Sequence, residues 1–346
     1  MIVFFSKADF KLCNVPVPSG YPQSQTHAGV CKVGNKTLLV SSPFPNVKYQ
    51  KWQIYPRVAL RKATFGWLCN GERAEYFENP CLYYSNDGEN FKLMQTRPLM
   101  EAPDAYYGFP AFNSDPDLYV ENDTIYVLNR AIFRTKLTPG LHRDEYDIRI
   151  YLIKGLLDEG RFKYISTNLI KETTDLVVSP CLTKYQGKYI YTSLWTNCYN
   201  DGESFGGLKY VQLSSIDELQ TNECWNEIKV NTDKWIPWHM SVFSCNEKLY
   251  SIIACVERGK GGHRCWQMLG EFSEELSAMK IYKTPLTDYE SYRGAAYVDP
   301  NREFFLYSTT VHEKIKGGKS VDGREVIMAH APFTQVLERL REAEKE

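Results

Sequence analysis

The feature that most constrains this chain is a strand–turn–strand phrase that occurs five times. The copies begin at His27 (HAGVCKVGNKTLLVSS), Asp115 (DPDLYVENDTIYVLNR), Val177 (VVSPCLTKYQGKYIYTS), Trp238 (WHMSVFSCNEKLYSIIA) and Tyr292 (YRGAAYVDPNREFFLYST). Each is a short run of β-formers, a polar turn (Gly-Asn, Asn-Asp, Gln-Gly, Asn-Glu or Pro-Asn), then a second run rich in Tyr, Ile, Val, Leu or Phe. That is the local signature of a β-hairpin. Copies about 55 to 90 residues apart imply a repeat architecture. Five four-stranded blades account for the length of 346 residues, so the sequence predicts an all-β, five-bladed β-propeller over 1–331. A second phrase, Asn86-Asp87-Gly88-Glu89-Asn90-Phe91 and Asn200-Asp201-Gly202-Glu203-Ser204-Phe205, with a looser copy at Asp158–Phe162, reads as outer-hairpin turns.

After Pro332 the period changes. Phe333, Val336, Leu337 and Leu340 fall at i, i+3, i+4 and i+7, which predicts an amphipathic helix over 332–346. Its apolar face packs on the propeller or offers a self-association contact. Residues 1–25, rich in Pro and Ser, are expected to close the ring or cross its face. Long polar, aromatic stretches at 44–79, 196–209 and 257–267 read as loops over one face, where function tends to sit on a rigid scaffold.

Composition excludes several classes. A net charge of −1 with no long basic run gives no field for nucleic acid. No apolar run approaches the ~18 residues of a membrane span. The opening MIVFFSKADFKLC lacks the parts of a secretory signal, so a cytoplasmic location is expected, or a virion if the chain is phage-encoded. The ten cysteines stand singly with no Cys-x-x-Cys pair, which predicts reduced core thiols and no zinc site of cysteine type.

In a propeller the innermost strands start near the mouth of the central channel, so the first residues of the phrases should converge there. The converging set is His27, Asp115, Asp117, Asp175, Ser179, Trp238, His239, Tyr292 and Arg293. Carboxylates, imidazoles, a guanidinium and aromatic faces together suit a sugar, and glycosidic hydrolysis needs two carboxyls, one kept protonated by its surroundings. Candidate catalytic residues are Asp115, Asp117, Asp175 and Glu78; candidate substrate-binding residues are His27, Arg130, Trp195, Trp238, His239, Tyr292 and Arg293. Asp115 and Asp117 share one side of a strand and need a cation, Arg130 or Arg293.

The phrases opening on Asp-Pro, with Ser114-Asp115-Pro116-Asp117-Leu118, Trp238-His239 and Tyr292-Arg293, resemble the five-bladed propellers of glycoside hydrolase families 43, 32, 117 and 130. Glu78-Asn79-Pro80-Cys81 running into Ser85-Asn86-Asp87-Gly88 is similar to uncharacterised bacterial and phage-encoded relatives. The resemblance implies that Asp115 fixes the sugar and modulates the acid, and that the partner is an oligo- or polysaccharide. It also implies departures: His27-Ala28-Gly29 stands where the hydrolases carry an Asp base, and Val178-Ser179-Pro180 where they carry a Glu acid. The residues call for no cofactor; by resemblance alone a channel metal would rest on His239 and water. A glycosidase-like hydrolase is the leading expectation, with a phosphorylase using Arg57, Arg61, Arg130 and Arg293 as a variant. The alternative is a non-catalytic glycan-binding or structural propeller, such as a phage virion component.

Overall fold

The five hairpins form where their turn residues supply left-handed backbone. Asn122 and Asp123, Gln186 and Gly187, and Asn246 and Glu247 all have positive φ, which bends two central residues with the twist of the flanking strands. In the computed structural model, which describes residues 4–18, 24–44, 78–101, 111–136, 145–196, 205–220, 224–259, 265–310, 313–314, 320–321 and 324–345, every phrase forms the first two strands of a sheet.

The pairings fall into five antiparallel four-stranded meanders. Blade 1 is Ser24–Val33, Lys36–Phe44, Cys81–Ser85 and Lys92–Leu93. Blade 2 is Ala111–Glu121, Thr124–Lys136, Glu145–Asp158 and Arg161–Thr173. Blade 3 is Leu176–Tyr185, Lys188–Thr196, Phe205–Leu213 and Asn226–Val230. Blade 4 is Trp235–Cys245, Lys248–Glu257, Cys265–Phe272 and Ala278–Ile281. Blade 5 is Ser291–Val298, Glu303–Thr310 and Val326–Pro332, completed by Lys11–Leu12 from the start of the chain. Each innermost strand contacts the next and the fifth contacts the first, so the ring closes around an axis.

Blade faces are apolar on both sides, and the core is divided into wedges between neighbours. Leu38, Val40 and Leu82 of blade 1 meet Leu118, Ile125 and Ile153 of blade 2. Ile148, Ile150 and Leu152 meet Leu182, Tyr191 and Val211 in the next wedge. Met240, Ile253 and Met268 pack on Val178, Ile190 and Leu208. At ~25 cal/mol per Å² of buried apolar surface, these wedges provide the main favourable term. The eight described cysteines are free thiols, five of them buried, as the spacing predicts.

The C-terminal helix runs Phe333–Ala343, with Phe333, Val336 and Leu340 buried. They join Phe243, Tyr250, Ile252 and Phe304 in the wedge of blades 4 and 5, so the helix's apolar face is engaged inside the chain. No helix among the described residues is long and apolar enough to cross a membrane.

Candidate functional site in the channel mouth

Every innermost strand is broken at the same level by a bulge. The registers shift between Thr26 and Gly29, Ser114 and Asp117, Val178 and Cys181, Pro237 and His239, and Ser291 and Gly294. A bulge leaves extra residues unpaired and re-aims their side chains. At three of the five it also forces a non-glycine into left-handed backbone: His27 (φ 55°), Asp115 (φ 50°) and Ser179 (φ 50°). Such residues cost of order 1 kcal/mol or more each, and they persist where the surrounding packing over-determines them. In four blades the bulge thus carries polar side chains toward the axis; in blade 4 the bulged residue is Trp238, and His239 follows it in the strand.

Asp115 is the hub. It is fully buried. One carboxylate oxygen, Oδ2, accepts from Arg130 at 2.9 Å and from the Ser179 backbone N–H at 3.1 Å. The other, Oδ1, lies 3.1 Å from His27 Nε2 and 3.3 Å from His239 Nδ1. His27 continues the chain of contacts, its Nδ1 standing 3.1 Å from Glu78 Oε2. His239 Nδ1 also meets Ser179 Oγ at 3.2 Å, and its Nε2 lies 3.1 Å from the Tyr292 hydroxyl. Arg324 borders the cluster, its guanidinium 4.3 Å from the Tyr292 ring centre and donating to Thr26 Oγ1 at 2.9 Å.

Electrostatics separates these groups. Burial would raise the Asp115 pKa, but Arg130, then the two imidazoles, hold it well below the usual carboxylate range. Burial raises Glu78 to about 7, with Arg324 opposing and the Asp115 charge adding. Burial also lowers His27 to about 3 and His239 to about 4, although Asp115 pulls both upward. Near neutral pH the cluster therefore holds one ionised carboxylate, two neutral imidazoles and a carboxyl that titrates there.

One level deeper, Asp117 Oδ1 accepts from Arg293 at 3.1 Å and from Ser241 Oγ at 3.2 Å. Arg293 is fully buried and also donates to the Pro116 carbonyl. Burial raises Asp117 to about 6, with Arg293 acting the other way. Each of the two strand aspartates has thus taken its own arginine.

The structure brings together His27, Glu78, Asp115, Arg130, His239 and Tyr292, and sets Asp117 and Arg293 beneath them. Three expected site residues are elsewhere. Asp175 is exposed at the entry to blade 3, its backbone N–H on Thr173 Oγ1, because it precedes the bulge by four residues and the strand starts only at Leu176. Trp195 lies on the second strand of blade 3, under Lys209 at 4.2 Å and edge-on to Trp225. Trp238 occupies the blade 4 bulge but is buried against Ala254, Val256 and Cys265. Arg57 and Arg61 fall outside the described residues, as does the Asp-Gly turn at 200–204. Ser179 carries a signal, its place in the phrase; Arg324 carries none.

Glu78 gives a clear pH test. Its folded pKa of about 7 exceeds its ordinary 4.5, so between those values the folded state binds the extra proton and stability falls as pH rises. Glu78→Gln removes that slope. The variant is expected to gain on wild type by up to about 3 kcal/mol between pH 4.5 and 7, at 1.36 kcal/mol per unit. Urea denaturation at several pH values measures it, and parallel curves would refute the assignment.

No protein-family model matches the chain, and no curated protein matches it. Solved structures do. Xylan β-1,4-xylosidase from Bacillus halodurans C-125 superposes with a TM-score of 0.64 at 14% identity, over 92% of this chain and 54% of that one. The chain thus spans about half the length of that enzyme. An N-acetylgalactosamine deacetylase from F. plautii, solved with blood group B trisaccharide, gives 0.59 at 14% identity over 92% of this chain and 94% of that one. Bacteroides ovatus GH43B of a xyloglucan utilisation locus gives 0.55 at 14%, over 92% and 54%. At such identity the likeness establishes the fold alone: this is a β-propeller.

Proposed function

We propose that this chain is a carbohydrate-active hydrolase that cleaves a glycosidic bond at the channel mouth, with Glu78 as the proton donor. The observation that carries this reading is the placement of two buried carboxyls, Glu78 and Asp115, each 3.1 Å from one of the two nitrogens of the His27 imidazole. Glu78 titrates at about 7, whereas Asp115 stays ionised. Environments that push two carboxyls apart assign the acid and the charge-stabilising group. Asp115 sits between His27 and His239 and offers fixed negative charge against the cationic character that develops at the sugar. Arg324, stacked over the Tyr292 ring, supplies a cation for sugar hydroxyls.

A second reading, hydrolysis of a sugar N-acetyl group, is favoured by the carboxyl geometry. Asp115 is enclosed by Arg130, Ser179, His27 and His239, so it cannot also flank a glycosidic bond as a free base. Histidine–carboxylate pairs suit activation of water at an acyl carbon. The near full-length match to the deacetylase fits this reading too. A screen of aryl glycosides and N-acetylated glycosides, followed by sugar and acetate release, separates the two. Sugar release that Glu78→Gln abolishes supports the glycosidase. Acetate release alone moves the assignment to the second reading. Glycan binding without either product overturns both.

A further inference from the structure

The arrangement around Asp115 Oδ1 has the dimensions of a metal centre. His27 Nε2 and His239 Nδ1 stand 3.1 and 3.3 Å from that oxygen, and the three donor atoms lie within 4.8 Å of one another. Ligands bound at ~2.0–2.2 Å to one ion are about 3.0–3.4 Å apart when adjacent on the coordination polyhedron. Two edges of such a polyhedron are therefore already formed. The three side chains come from blades 1, 2 and 4, and each is buried to 2% exposure or less.

A second observation points to a ligand. Neither ring nitrogen of His27 makes a well-aligned hydrogen bond, although both are buried and both have a carboxylate oxygen at 3.1 Å. A buried imidazole left in that state is costly, and a bound ion would use the Nε2 lone pair. The remaining nitrogens are oriented as outer-shell partners of a metal site are. His239 Nε2 is hydrogen-bonded to the Tyr292 hydroxyl, which can fix its tautomer from behind, and His27 Nδ1 has the Glu78 carboxyl 3.1 Å away, within reach of the same role.

We propose that His27 Nε2, His239 Nδ1 and Asp115 Oδ1 bind one divalent transition-metal ion of the manganese, cobalt or zinc class, with Glu78 and Tyr292 holding the two imidazoles. This is a three-ligand protein site, unlike the ion on a single histidine and water that the resemblance implies. Two imidazoles and one carboxylate favour borderline metals over calcium and magnesium, which take oxygen donors. The inference does not depend on which bond is cleaved.

The test uses the full chain, stripped with chelator and titrated calorimetrically with Mn²⁺, Co²⁺, Zn²⁺, Ca²⁺ and Mg²⁺ in turn. One equivalent of Mn²⁺ and Co²⁺ is expected, at least tenfold tighter than Ca²⁺ or Mg²⁺, with visible Co²⁺ absorption bands of nitrogen and oxygen ligation. His239→Gln is expected to abolish stoichiometric binding. Because ligand variants can fail to fold, Tyr292→Phe and Glu78→Gln provide gentler tests, each expected to weaken affinity by about 10- to 100-fold. His330→Gln, at an exposed histidine of blade 5, is expected to change nothing. Binding that persists in His239→Gln, thiolate-type Co²⁺ bands, tighter binding of calcium, or no stoichiometric binding would each overturn the proposal. All readouts are independent of turnover, so a failed activity screen leaves this test intact.

Discussion

Asparagine at position 115 is expected to lower turnover by about 10³-fold or more and to destabilise the fold by about 3–5 kcal/mol. Both effects come from one hub. The carboxylate neutralises Arg130, which is itself 4% exposed, and removing one member of a buried pair leaves an uncompensated charge worth about that much. An amide keeps one acceptor oxygen, but its NH₂ must face Arg130 and Ser179 N–H, or the two imidazoles. Either choice opposes donors or removes the charge that holds His27 and His239. General acid–base arrangements contribute about 10²–10⁴ in rate, which sets the expected loss. Combining Asp115→Asn with Arg130→Met separates the two causes, because removing both partners of a buried pair is far cheaper than removing one. The double variant is expected to regain at least half of the lost stability and none of the activity. Chemical denaturation and kcat/KM on the same preparations read both. A double variant as unstable as the single would show that Arg130 is not the charge that Asp115 answers.

The same hub shows what could be read from the chain. Hairpins are local, so Asn122-Asp123, Gln186-Gly187 and Asn246-Glu247 announced their turns directly, and five of them fixed the blade register. That register placed His27, Asp115, His239 and Tyr292 at one mouth. What stayed illegible is the bulge, because the sequence pattern around Asp115 is the same whether the strand is regular or carries two unpaired residues. The bulge turns Asp115 toward His27 and His239 and lets Asp117 drop to a deeper level with a different arginine. The surroundings of Trp195 are illegible for a related reason. It pairs with Val177 across the hairpin, which brings it to the mouth end of blade 3, where Lys209 and Trp225 of blade 3 and Lys171 of blade 2 surround its ring. Glu78 came from the strand-entry phrase, yet its role depends on meeting His27, a contact between residues 51 positions apart.

Arg293→Met is the second large effect, and it isolates structure from chemistry. The Arg293 side chain is wholly buried, donating to Asp117 and to the Pro116 carbonyl, and so ties blade 5 to blade 2. Asp117 also takes the Ser241 hydroxyl of blade 4, and a Cβ on Gly29 of blade 1 would lie 3.2 Å from its Oδ1. Four blades therefore meet at this pin. Replacing the guanidinium by a thioether of similar length keeps the packing and leaves the carboxylate without its cation, at an expected cost of about 3–5 kcal/mol. The pH dependence identifies the cause. Burial already raises Asp117 to about 6, and Arg293 is the largest opposing influence, so the variant's carboxyl rises further. A carboxyl with a raised folded pKa loses stability as pH climbs from its unfolded value to its folded one. In wild type that loss ends near pH 6; in Arg293→Met it continues above. The gap between the two proteins is thus expected to widen from pH 6 to 8, and Asp117→Asn in the Arg293→Met background is expected to remove the widening. A gap independent of pH would mean that Arg293 matters through its packing and its bond to Pro116, with no part played by the charge on Asp117.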